Sequence, residues 1–176
     1  MRKLIVTAIA VLILGGCATN KHRYVPKVLT TDPSKFTALN GVSVRRPVAL
    51  INAQDSGADV LLGSKGVNAY YSSLKDLTET VVINTTRELA KRQVSTNPSA
   101  STALRLSVTD VSAETTVLNV EAKMEVVVVT GSGVTKRIKV TNKTPGSIPR
   151  AYNGAVSLAV IEILSDPQIL TYLAAP

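Results

Sequence analysis

The chain has 176 residues, 45% of them hydrophobic, and its twenty basic and twelve acidic side chains give a formal net charge of +8. A single cysteine excludes an intrachain disulfide, and a single histidine leaves no orienting base for a serine nucleophile. Five tyrosines, one phenylalanine and no tryptophan make poor stacking platforms for sugars or single strands, so nucleic acid is excluded as a partner.

The N-terminus carries the first organised signal. Met1-Arg2-Lys3 precedes an apolar run over residues 4–13, and the segment closes on Leu14-Gly15-Gly16-Cys17. A basic start, a short apolar stretch and small residues before a cut mark residues 1–16 as a secretory signal. The run is shorter than the roughly 20 residues a membrane-spanning helix needs. Its ending resembles the bacterial lipobox, in which an aliphatic residue and two small residues precede a cysteine. That resemblance implies cleavage between Gly16 and Cys17, a diacylglycerol thioether on the Cys17 sulfur and acylation of the new amine. Lipid at Cys17 removes the only thiol from nucleophilic or metal chemistry, so the covalent lipid is the sole non-protein group expected, with no cofactor and no metal.

Cleavage also removes Arg2 and Lys3 and leaves 160 residues, with about +6 of the original +8 charge. The charge suits anionic envelope material, or equally an unspecialised basic surface. Ala18 and Thr19 follow the cysteine, with no Asp directly after it. By the sorting rule of didermal bacteria, this implies a lipid anchor in the outer membrane with the domain facing the periplasm. In a host with a single membrane the anchor would face outward.

Residues 17–41 read as the lipidated cysteine and a flexible tether, punctuated by Pro26 and Pro33 and dotted with Lys21, His22, Arg23, Lys27 and Lys35. His22 lies in this tether, away from any partner for general-base or metal work. Residues 42–176 form a single domain. A strand is predicted over residues 42–51, with Arg45 and Arg46 in its middle and Pro47 marking it as an edge strand or bulged. Residues 52–66 are rich in Gly, Ser and Asp and read as a loop around the apolar island Val60-Leu61-Leu62. Gly63-Ser64-Lys65-Gly66 lacks the spacing of a phosphate loop and reads as a turn. Asp55 and Asp59 share the loop, a pattern more typical of turns than of a cation site.

A helix is predicted over residues 70–94, with Tyr71, Leu74, Thr78, Val81, Val82, Thr85 and Leu89 on one face, and Ser72 or Ser73 as cap. Three strands follow with period-two alternation: Leu104 to Val108, Leu118 to Val128 and Val134 to Val140. Gly131-Ser132-Gly133 makes the last hairpin and sets Glu125 opposite Lys139; Lys136 breaks the inner pattern. Asp110 and Glu114 are placed at a solvated strand-to-strand turn, and residues 142–149 in a loop. A helix over residues 150–164 is apolar nearly all round, which means burial on two sides or one side kept for a partner. Asp166 and Pro167 then start a short last helix over residues 168–173.

This order predicts an α+β fold: a four-stranded, largely antiparallel sheet with two main helices packed on one face, in the order strand, helix, three-strand meander, helix. The lipobox at Cys17, the Leu104-Arg105-Leu106-Ser107-Val108 strand, the 122–131 strand and the late helix to Asp166 resemble YajG-type bacterial envelope lipoproteins. In element order alone the chain is also similar to LptE-like lipoproteins and to auxiliary lipoproteins of envelope lipid transporters. The first resemblance implies a lipid-anchored periplasmic domain. With no catalytic constellation in view, the chain is expected to be no enzyme but an adaptor or accessory of an envelope protein complex. Its expected docking residues are Arg45 and Arg46 near the edge strand and Glu162 on the late helix. The alternative is a module that binds lipid or glycan between sheet and helices, in a cavity lined by residues such as Met124, Val126 and Ile161.

Overall fold

The computed structural model describes residues 19–25, 27 and 43–175. The predicted signal, Gly16, Cys17 and most of the predicted tether lie outside the described residues. The elements are β1 (Asn20–Arg23), β2 (Val48–Asn52), β3 (Asp59–Lys65), β4 (Asn68–Ser73), α1 (Leu74–Ala90), β5 (Thr102–Thr115), β6 (Asn119–Thr130), β7 (Thr135–Pro145), α2 (Ile148–Ile163) and α3 (Pro167–Ala174).

The fold is α+β. A four-stranded sheet of order β2-β5-β6-β7 is antiparallel except for the parallel β2–β5 pair. α1 lies against β2 and β5, α2 against β6 and β7, and the two helices touch each other. Alternation drives this layer. Val120, Ala122, Met124, Val126 and Val128 point inward from β6 and are at most 3% exposed, while Leu104, Leu106 and Val108 do the same from β5. Each such aliphatic side chain contributes about 1.5–3 kcal/mol relative to exposure. From α1 the sheet receives Leu77, Thr78, Val81, Thr85 and Leu89, all fully buried. Thr78 Oγ1 also accepts the Val108 N–H at 2.9 Å, which satisfies a donor freed by the β5 bulge between Val108 and Asp110.

A second sheet, of order β1-β4-β3, was not expected from the sequence. The segment read as a loop holds β3, and Tyr70 and Tyr71, assigned above to the helix, lie on β4. β3 bulges between Leu61 and Gly63, where Gly63 takes a φ of +154° and passes within reach of the Ala113 side chain. The turn itself is Gly66-Val67, and Ser73 is the cap, its Oγ accepting from the Asp76 N–H at 3.0 Å. Part of the predicted tether is structured as well: β1 pairs in parallel with β4 from Asn20↔Asn68 to Arg23↔Tyr71. Tyr24 follows it into the core.

Other boundaries shift for simple reasons. Arg45 and Arg46 precede β2 rather than sitting within it, because pairing with β5 begins only after Pro47, at Val48. β2 is an edge strand, as Pro47 suggested. β5 runs on past Val108, so Asp110 and Glu114 lie on the strand opposite Glu125 and Glu121; both are exposed as expected, and the turn they were to flank is confined to residues 116–118. Leu118 stands at the tip of the β5–β6 hairpin, 74% exposed, and β7 continues to Pro145 through residues read as loop. Lys136 does face inward, where its Nζ meets the Asp166 carboxylate at 3.4 Å beside the start of α3.

α2 spends its apolar excess on burial. Of its sixteen residues only Arg150 and Glu162 are exposed. It packs close to β7 at Gly154, where a Cβ would stand 2.1 Å from the Asn142 Nδ2. That nitrogen donates to the Ala151 carbonyl at 2.9 Å and so cannot swing away freely. Gly154→Ala is expected to destabilise the fold by about 1–3 kcal/mol in urea unfolding, with part of the loss recovered by adding Asn142→Ser.

Two tyrosines are anchored by their hydroxyls. Tyr152 donates to the Leu62 carbonyl at 3.1 Å and joins α2 to β3, and Tyr24 donates to Asn153 Oδ1 and joins the N-terminal segment to α2. Burial pushes both phenols above their ordinary pKa of 10.0, with the Asp110 charge adding to the rise at Tyr152. Because the raised pKa belongs to the folded state, the associated stability is complete below pH about 10 and is lost as pH rises above it. In absorbance titration, two of the five tyrosines are expected to ionise only with alkaline unfolding.

Candidate functional site

The strands give the domain two distinct ends. At one end Asn20 N–H donates to Val67 O at 2.8 Å, Thr115 Oγ1 donates to Ser64 O at 3.1 Å, and Lys65 Nζ donates to Gly146 O at 2.8 Å. The start of β1 and the β3–β4 and β5–β6 turns therefore gather there. β5 covers 14 residues, so the opposite end is about 40 Å away at ~3.3 Å per residue. There Val48 N–H donates to Ser95 O at 3.0 Å, Gly131 N–H donates to Ala103 O at 2.8 Å, and the Tyr172 hydroxyl of α3 accepts from Ala103 and Gly131 N–H at 3.0 and 3.1 Å.

Arg45 and Arg46 are exposed and belong to this second end. Arg46 Nη2 donates to Ala175 O at 3.0 Å, tying the entry to β2 to the end of α3. Glu162 is exposed near the C-terminus of α2, which leads into α3. The docking residues named from the sequence thus sit away from the end where β1 begins. Met124 and Val126, named for an interior ligand cavity, are buried in the common core, and Ile161 packs against that core.

Two surface features escape sequence reasoning. The first is a cleft of about 380 Å³ lined by Lys21, His22, Arg23, Asp59 and Tyr71. Its walls come from β1, β3 and β4, three strands that no local pattern joined. Arg23 spans it, with Nη1 at 2.6 Å from Asp59 and Nη2 at 2.8 Å from Asp76 in the first turn of α1. Lys21 Nζ lies 5.9 Å from the centre of the Tyr71 ring. His22 stacks on Tyr70 at 5.2 Å and its Nε2 is 2.9 Å from Asn68 Oδ1, so the histidine is engaged in holding β1 in place. Asp59, one half of the aspartate pair in the predicted loop, is already matched to a cation of the chain itself.

The second is the solvent face of β5, β6 and β7, with a hollow of about 200 Å³ lined by Asp110, Ser112, Lys123, Met124, Glu125, Lys139, Val140 and Thr141. Charges alternate across it. Glu125 meets Arg137 at 2.8 Å and Lys139 at 3.5 Å, the latter in the register predicted from the hairpin. The Arg137 hydrogen bond, with help from Thr109 and Lys139, holds the Glu125 carboxyl below its ordinary range. Lys123 bonds Glu114 at 2.5 Å and lowers its pKa in the same way, while its own rises. Glu114, Glu121 and Glu125 are thus matched to cations of the same face. Among the described residues there is no group of three His, Cys, Asp or Glu side chains placed to hold a metal ion.

No described helix is long and apolar enough by itself to cross a membrane. No protein-family model matches the chain, and no curated protein does. Among solved structures, it resembles protein XCC0632 from Xanthomonas campestris, of the DUF330 family, with a TM-score of 0.58 over 86% of this chain and 95% of that one. At 11% identity the likeness is one of fold.

The Arg23 bridges join β1 to β3 and α1, and exposed pairs of this kind contribute about 0.2–1 kcal/mol each. Arg23→Ala is therefore expected to change global stability by about 1 kcal/mol or less. Amide exchange in residues 20–24 should nevertheless quicken severalfold, with β6 unaffected; equal acceleration in both strands would show that β1 is not a separately held element.

Proposed function

We propose that the chain is a lipoprotein anchored through Cys17 to the outer membrane, facing the periplasm, as the resemblance to YajG-type lipoproteins implies, and that its domain is a non-enzymatic adaptor of an envelope protein complex. The observation that carries this reading is the opposition of the two ends. The chain enters β1 at Asn20, three residues after the lipobox cysteine, and Arg45 and Arg46 are displayed at the far end beside the Ala175 carbonyl. An adaptor on a membrane needs that separation between its anchor and its docking surface. The filled core around Met124 and Val126 favours a docking role over an interior ligand cavity. The ligand-binding alternative draws its support from the tyrosine-floored cleft at Lys21, Arg23, Asp59 and Tyr71, where Arg23 is already matched to Asp59 and Asp76 and Lys21 is the cation left to meet a headgroup or glycan.

Metabolic labelling with palmitate is expected to mark the wild-type chain and to fail with Cys17→Ser. Photo-crosslinkers at Arg46 and Glu162 in living cells, read by mass spectrometry, are expected to give one discrete protein adduct that depends on the probe position. Lipid or glycan adducts alone would replace the adaptor by the ligand-binding module.

A further inference from the structure

We infer that the end of the domain bearing Val67, Val117 and Leu118 dips into the surface of the bilayer that holds the Cys17 lipid. This rests on the lipid anchor proposed above and adds an orientation to it. Single exposed hydrophobic residues are ordinary on any protein. Here three of the six exposed large hydrophobic residues among the described residues share one end. Val117 is 93% exposed and Leu118 74% at the tip of the β5–β6 hairpin, and Val67 is 53% exposed at the β3–β4 turn. The Thr115–Ser64 and Lys65–Gly146 hydrogen bonds hold the two tips at one end of the molecule.

That same end is where the chain comes from the anchor. Asn20 N–H is bonded to the carbonyl of Val67 itself, at 2.8 Å. Cys17 is three residues earlier, a reach of at most about 11 Å in extended chain. A lipid on Cys17 therefore keeps Asn20 and the β3–β4 turn within about 11 Å of the anchored residue. Lys21, Lys65 and Lys143 lie at this end, where Glu114 and Glu121 are matched to Lys123, in keeping with an anionic surface beneath it. The hairpin turn also closes on itself, with Thr116 N–H donating to Asn119 O at 2.8 Å and Asn119 N–H donating to Thr116 Oγ1 at 3.0 Å. Those two donors would not be left unpaired in a drier medium. Acyl chains alone retain the domain and leave it free to tilt. Apolar tips beside the anchor fix the tilt and turn Arg45 and Arg46 away from the membrane.

The test uses the full lipidated chain in vesicles of phosphatidylethanolamine and phosphatidylglycerol. Leu118→Cys, Val67→Cys and, at the opposite hairpin, Ser132→Cys are each labelled with the fluorophore NBD, the Cys17 thiol being blocked by lipid. Emission at positions 118 and 67 is expected to shift to the blue and to be quenched at least threefold more by spin-labelled lipid than at position 132. Equal quenching at all three positions in vesicle-bound protein would overturn the inference and leave the anchor standing. A chain that does not float with the vesicles, or whose Cys17 takes up NBD in the unsubstituted protein, would overturn the anchor and the orientation together.

Discussion

The inward row of β6 is the constraint to which the other elements answer. Val120, Ala122, Met124, Val126 and Val128 project from a strand that is paired along both edges, so neither water nor backbone rearrangement can relieve them. They must be covered from one side, and α2 does most of that covering. This explains why α2 tolerates so few polar residues and needs a glycine at position 154 to come close. It also explains the placement of Lys136, the one cation on the inner side of β7. A half-buried charge is costly without a partner, and the Asp166 carboxylate that caps α3 lies 3.4 Å from it. The cap of the last helix and the charge of the edge strand thus answer each other.

The small sheet serves a different purpose. β1 contributes little apolar surface, since all four of its residues are exposed. Its hold on the domain comes from the parallel ladder to β4, the Arg23 bridges and the burial of Tyr24 just beyond it. These interactions bind the first described residues to one end of the sheet. Residues 20–24 are thereby fixed to the domain instead of forming part of a free leash.

What could be read from the sequence was what local pattern encodes. The alternation in β5, β6 and β7, the Gly131-Ser132-Gly133 hairpin, the Glu125–Lys139 register, the edge position beside Pro47 and the Asp166 cap all follow from neighbours within a few residues. The small sheet was not legible because its determinants are remote or ambiguous. Gly57, Gly63 and Gly66 gave β3 the composition of a loop, although Gly63 serves a bulge and only Gly66 a turn. Tyr70 and Tyr71 fit the apolar stripe of a helix as well as the end of a strand. The pairing of Asn20 with Asn68 joins segments 48 residues apart, and nothing in residues 18–41 signals it locally. The expected docking residues could be named, but only the fold could show that Arg45 and Arg46 stand opposite the entry of the chain.

The distribution of charge completes the argument about where contact can occur. The broad solvent face of the large sheet carries Glu114, Glu121 and Glu125 against Lys123, Arg137 and Lys139, and their mutual bridges hold both signs close together. A partner docking there would have to break pairs already made, with little apolar area to offset the loss. The lysines of β7 also guard that edge against pairing with another strand. The ends differ from it, although the Lys136–Asp166 bridge lies at one of them. One presents Val67, Val117 and Leu118 beside the start of β1, and the other presents Val134 and two arginines, Arg46 being bonded to the Ala175 carbonyl. In a domain whose sides are closed by helices and by paired charges, selection for contact can act at the ends, and the two ends here are chemically unlike.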